Sequence, residues 1–148
     1  MLSKVLFSSK SDHLETPKEI YNFFKEKGYI DPCPLNEDYD KPLYPYRFKY
    51  LFINPPYSKI DIWVDYVIER LKDCCSIALL VPARTDTARF HRLLGWKPRI
   101  YFIKGRLNFS NKGSAPFPSL LVYFSYGWTS GFYYSLDKDF KELEDKGF

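Results

Sequence analysis

Leu51–Trp63 reads LFINPPYSKIDIW, and its paired prolines constrain the architecture more than any other stretch of the chain. Tyr50–Ile53 is a short apolar run suited to a buried strand. Pro55 and Pro56 have no N–H to donate, so a central strand cannot continue through them. The strand must therefore stop at Asn54, with a rigid, extended backbone and free carbonyls at its tip. A helical stripe follows. Ile60, Trp63, Val64, Val67, Ile68 and Leu71 recur at i, i+3, i+4, i+7, i+8 and i+11. Ser58 can cap that helix, with Asp61 in its first turn. Trp63 lies on the apolar stripe and reads as core.

The same alternation runs along most of the chain. Thr16, Pro17 and Glu19 form a capping-box pattern before Ile20, Phe23 and Phe24, and Gly28 suits the helix stop. Tyr29 and Ile30 then end a short buried strand with Asp31 at its tip, and Glu37–Tyr46 reads as a loop. Ser76–Val81 is a continuous apolar strand stopped by Pro82, and Thr85–Leu94 is a weaker helix ending at Gly95. Arg99–Ile103 and Leu107–Phe109 flank Lys104-Gly105, a candidate hairpin turn. Ser119–Ser125 is a further strand. Beyond Gly127 the sequence suggests a short strand, Phe132–Ser135, and a charged helix, Asp137–Lys146. All-apolar strands alternating with amphipathic helices argue an open α/β fold. Its sheet is expected to be mostly parallel, covered on both faces, with an antiparallel edge near the C-terminus. Ligands of such sheets bind at the carboxyl ends of the strands, where Asp31 and Asn54 both fall.

Composition narrows the classes. A length of 148 residues with 45% hydrophobic content suits one compact domain spanning 1–148. No run of about 18 apolar residues offers a membrane span, and MLSKVLFSSKSDH lacks a long apolar signal region, so an intracellular (cytoplasmic) protein is expected. Cys33, Cys74 and Cys75 are odd in number and show no ligand spacing. His13 and His91 have no ligand-like partners in sequence. Reduced cysteines and no metal are therefore expected. The net charge of +4 is unevenly spread: Arg84–Lys112 holds eight basic residues against Asp86 alone. That segment is a candidate polyanion footprint, or else a solvated face.

Asn-Pro-Pro-Tyr at a strand tip fits one demanding reaction. An aromatic amine is hard to methylate because its lone pair is delocalised into the ring. An amide oxygen and a backbone carbonyl aimed at its N–H groups favour a tetrahedral nitrogen and stabilise the charge that develops on it. Asn54 supplies the amide oxygen, Pro55 the carbonyl, Pro56 the rigidity, and Tyr57 a ring to stack on a flat base. As a plain turn, the tetrapeptide arises by chance in roughly one chain in a few thousand of this length.

INPPYS resembles the catalytic motif of S-adenosylmethionine-dependent amino-methyltransferases, and ETPKEI resembles the motif that opens the cofactor pocket in adenine-N6 DNA methyltransferases. With DPCPLN, NPPYSKIDIWV, KGRLNF and APFPSLLVYF in order, Asp12–Phe124 resembles the phage-type DNA N-6-adenine methyltransferases, the Dam family of viruses and prophages. Residues 126–148 would be an extension. The resemblance implies a reduced Rossmann-like methyltransferase sheet, S-adenosylmethionine as cofactor, and double-stranded DNA with a flipped adenine as substrate. It implies that Thr16 and Pro17 line the methionine end of the cofactor. Asp31, Pro32 and Cys33 would form the cofactor-facing tip, joined there by Asn54. Asn54, Pro55, Pro56 and Tyr57 would hold the adenine. Lys59, Arg84, Lys104 and Arg106 are candidates for phosphate or base-edge contacts. Ser114–Ser119 is either a pocket-closing segment or a rigid loop.

The chain departs from the family pattern in two places. DPCPLN has no glycine turn, and the stretch from Asn36 to Asn54 is too short for a full helix–strand–helix. The acid that the family sets against the ribose would have to be replaced here, with Glu37, Asp38 and Asp40 as candidates and no choice between them. Sequence preference would come from loops around Thr85–His91 and Ser110–Phe117. A domain this small that must flip a base would also gain from forming a homodimer. Two alternatives stay open: an RNA adenine or DNA cytosine-N4 methyltransferase, and a degenerate methyltransferase fold that only binds nucleic acid.

Overall fold

The computed structural model describes residues 14–33, 49–73, 75–109, 113–125 and 131–137. Several expectations fall outside these ranges: His13, the Glu37–Tyr46 loop with its three candidate acids, Cys74, and the charged segment beyond Asp137.

Helix α1 (Lys18–Glu26) buries Ile20 and Phe24. Strand β1 (Tyr50–Ile53) buries three of its four residues. The prolines then impose a break and a 3-10 turn, Tyr57–Lys59. Helix α2 (Ile60–Lys72) buries Ile60, Trp63, Val64 and Val67 of the stripe read from the sequence, while Ile68 and Leu71 at its far end are half-buried. Strand β2 (Ser76–Pro82) is buried throughout. Helix α3 (Ala88–Leu94) follows, then β3 (Arg99–Lys104), β4 (Asn108–Phe109), β5 (Gly113–Ser114), β6 (Ser119–Phe124) and β7 (Phe132–Asp137).

Five strands form one sheet in the order β1-β2-β6-β3-β7, and β4 pairs with β5 alone. The β1–β2 and β3–β7 pairs are parallel, and β6 is antiparallel to both of its neighbours. Four of the five strands therefore run one way, as the α/β reading requires. Ile30 adds a single parallel bridge to Leu51 on the outer side of β1. The antiparallel strand was expected at an edge; it lies inside the sheet, and the edge strand β7 is parallel. The apolar content explains the exchange: all six residues of β6 are buried, whereas most of β7 is exposed.

Helices cover both faces. Phe24 of α1 stacks on Phe52 at 4.7 Å. Phe52 is paired with Ala78, so Val81, three residues on, faces the opposite side. Val81 lines a cleft with Ile60 and Val64 of α2 and Phe90 and Leu93 of α3. Burial of each large side chain such as Trp63 or Phe24 contributes about 1.5–3 kcal/mol.

The structure corrects three local expectations. The Thr16 side chain does not cap α1; Pro17 is the N-cap and carries no side-chain bond to the helix. Ser58 does not cap α2, because the 3-10 turn intervenes and Lys59 takes that place. Lys104-Gly105 is not a hairpin turn, since β3 pairs with β6 and β7 while β4 pairs with β5. The buried β6 offers β3 far more apolar contact than the two-residue β4 could. By contrast, α3 has the cap its sequence permits: Thr87 Oγ1 accepts from the Phe90 N–H at 3.4 Å. Among the described residues, no helix is long and apolar enough to cross a membrane.

Candidate active site

The parallel register fixes which end of the sheet carries chemistry. Ile53 pairs with Leu79 and Pro82 with Ser119, so Asn54, Ala83 and Pro118 emerge at the same end. The Ala83 N–H closes that end with a 2.9 Å bond to the Pro118 carbonyl. Ile30 joins β1 there, which brings Asp31 to the same rim.

Asn54 is 3% exposed. Its Nδ2 donates to the Leu14 carbonyl at 2.6 Å and to Thr16 Oγ1 at 3.0 Å. Both amide protons are thus committed. Its Oδ1 is buried, and no donor reaches it among the described residues. A buried acceptor without a donor costs about 1–3 kcal/mol, so an arrangement that leaves one is poised for a ligand N–H. Pro55 is buried and Pro56 is extended at φ −57°, ψ 134°. The Lys59 N–H bonds the Pro56 carbonyl at 3.0 Å, closing the turn one residue beyond Pro55. Tyr57 is buried and packs edge-to-face on Phe117, with ring centroids 4.7 Å apart. That contact ties the Ser114–Ser119 segment to the Asn-Pro-Pro-Tyr turn.

Asp31 Oδ1 accepts from the Cys33 N–H at 2.8 Å. Burial pushes its carboxyl up to about 6, with this bond pulling the other way. Pro32 and Cys33 are buried beside it. The Cys33 thiol is pushed well up by burial first and by the Asp31 charge second, while the Lys59 ammonium offsets part of this. Cys33 is therefore a neutral packing group at neutral pH, and the same interaction puts Lys59 close to the strand tip. Among the described residues, Cys33 and Cys75 are both buried and neither is in a disulfide.

The four candidate cations all follow strand ends on this side. Lys59 sits in the turn after Asn54, Arg84 two residues after β2, Lys104 at the end of β3, and Arg106 just beyond; Arg84, Lys104 and Arg106 are exposed. The wider basic segment is less open than it reads. Arg89 pairs with Asp61 at 3.3 Å and Arg92 with Asp65 at 2.7 Å, which docks α3 on α2. Arg84 and Arg89 also line the apolar cleft between those helices.

Two features of this rim went unread in the sequence. Ser119 is 2% exposed, and its hydroxyl has no partner among the described residues. The Leu14 carbonyl holds Asn54, and a backbone carbonyl leaves no side-chain signature in a sequence.

A family model for DNA N-6-adenine-methyltransferase (Dam) matches residues 31–116, more than half of the chain. The chain belongs to the Dam family. No curated protein and no solved structure matches the chain significantly. The Dam match takes in Asp31–Cys33, Asn54–Tyr57, Lys59, Arg84, Lys104 and Arg106, and stops short of Phe117 and Ser119. Thr16 and Pro17 precede it.

Proposed function

We propose that this Dam-family chain transfers a methyl group from S-adenosylmethionine to the exocyclic N6 of adenine in DNA. One observation carries the reading: Asn54 Oδ1 is buried and has no partner among the described residues, while both amide protons are taken. An adenine N6–H is the donor such an atom lacks. The Pro55 carbonyl, next along a rigid backbone, accepts the second N6–H. Together the two acceptors draw the N6 lone pair out of the ring system and stabilise positive charge as it develops on nitrogen. No tuned base is required, because the amine proton becomes acidic only after transfer. The attack is direct and in line, with no covalent enzyme intermediate.

S-adenosylmethionine supplies an activated methyl on a sulfonium and also carries an ammonium group. The residues present suit these cationic centres. Asp31 offers a half-buried carboxylate with one oxygen engaged by Cys33 N–H. Pro32 and Cys33 would wall the group beside it, and Pro17 is a further candidate wall residue. Tyr57, held edge-on by Phe117, offers its ring to the base. In duplex DNA the adenine must first be flipped out, at a cost of a few kcal/mol. Lys59, Arg84, Lys104 and Arg106 meet the phosphates and steady the opened strand.

Nucleoside analysis by mass spectrometry tests this reading. The protein is incubated with S-adenosylmethionine and matched DNA or RNA, and the nucleic acid is digested. N6-methyldeoxyadenosine from DNA is the expected product. N4-methyldeoxycytidine or N6-methyladenosine alone would reassign the substrate, and no methylated nucleoside would leave a nucleic-acid-binding protein.

A further inference from the structure

We infer that Leu14 and Thr16 are positioning residues for the Asn54 amide, and that Thr16 therefore serves the catalytic amide rather than the cofactor. The inference rests on the methyl-transfer reading. The Thr16 hydroxyl is spared from helix capping, because α1 begins at Lys18 with no side-chain cap. It lies instead 3.0 Å from Asn54 Nδ2, with the Leu14 carbonyl 2.6 Å from the same atom. A carbonyl oxygen can only accept. Turning the amide by 180° would set Asn54 Oδ1 against the Leu14 oxygen at that distance, two acceptors face to face. The Leu14 carbonyl thus fixes which end of the amide faces the site, and the Thr16 hydroxyl accepts the second amide N–H. Donating both N–H groups also polarises the amide toward Oδ1 and strengthens it as an acceptor. Leu14 is 7% exposed, so little water competes.

The geometry has a second consequence: this site takes asparagine and rejects an ionised aspartate. Asn54→Asp would place a carboxylate oxygen where Nδ2 stands, against the Leu14 carbonyl. Only the protonated carboxyl could donate there.

Four variants and one spectrum test the inference. Thr16→Val keeps the shape and removes the acceptor; Thr16→Ser keeps it. Thr16→Val is expected to lower kcat at least about tenfold. Its calorimetric Kd for S-adenosylmethionine and its KM for DNA should stay within about threefold. Thr16→Ser should recover most of the rate. A Thr16→Val enzyme with unchanged kcat, or with the loss confined to cofactor Kd, would overturn the inference. Should Thr16→Val fold poorly, the pH profile of Asn54→Asp decides: residual activity should rise as pH falls, and a flat or opposite profile would contradict the geometry. The amide can also be watched without activity. The Asn54 NH2 signals, assigned by their loss in Asn54→Ala, should be protected from exchange in the wild type and lose protection in Thr16→Val. Equal protection in both overturns the Thr16 contact. If the wild-type protein transfers no methyl group, the functional reading falls, while the NH2 signals still report whether Thr16 holds the amide.

Discussion

At the scale of the residue, the site combines side chains that are costly to keep. Asp31 is pushed up to about 6 from an ordinary value near 3.8, chiefly by burial. Its folded value lies above its unfolded one. The neutral form is therefore favoured in the fold, and that contribution to stability is present below about pH 4 and lost as pH rises through about 6. Asp31→Asn should remove this dependence. In paired thermal melts, the variant should gain on the wild type as pH rises from 4 to 7; parallel curves would contradict the burial argument. On the proposed function, the same substitution should also weaken binding of S-adenosylmethionine. Asn54 was legible in the sequence because two prolines mark the strand end that needs it. Its anchor was not. Thr16 resembled a helix cap by spacing, and only the fold shows its hydroxyl turned to a residue 38 positions away.

At the scale of the element, apolar periodicity carried most of the information. The α2 stripe and the buried runs of β2 and β6 appear where the sequence placed them. The end of α1 was legible too. Gly28 has φ +84°, its N–H bonds the Lys25 carbonyl, and the Tyr29 N–H bonds the Phe24 carbonyl. Phe24 and Tyr29 then meet at 5.1 Å, the apolar contact that accompanies this type of stop. A Cβ at Gly28 meets nothing within 4 Å, so only backbone strain opposes one. Gly28→Ala should cost about 1 kcal/mol, or roughly 2–4 °C in Tm, and a neutral result would mean that α1 ends without that conformation. The Lys104-Gly105 hairpin failed for a different reason. Local turn chemistry fits it, and Gly105 does take a positive φ of 78°, but strand partners are chosen by burial across the sheet.

At the scale of the whole molecule, strand direction gathers the chemistry at one end. Four strands share a direction, so the turn after β1, the residues after β2 and the end of β3 all open on the same rim. Sequence order suggested that rim, but β6 inside the sheet could not be read, because pairing order is a long-range property. The exposed cations on the rim should make DNA binding electrostatic. With four phosphate contacts, log Kd should change with log salt at a slope of roughly 3–4. Replacing Arg84 and Lys104 together by Ala should reduce that slope by roughly 2, and an unchanged slope would remove them from the interface. Arg89 and Arg92, paired with α2, should matter less. The account as a whole turns on the Asn54 amide. The most direct measurement compares single-turnover transfer of labelled methyl to adenine-containing DNA by wild type and Asn54→Ala, with cofactor binding followed by calorimetry on both. A loss of at least about 100-fold in the transfer rate, with the Asn54→Ala protein folded and still binding S-adenosylmethionine, is the predicted result. Transfer by Asn54→Ala at near the wild-type rate would contradict it.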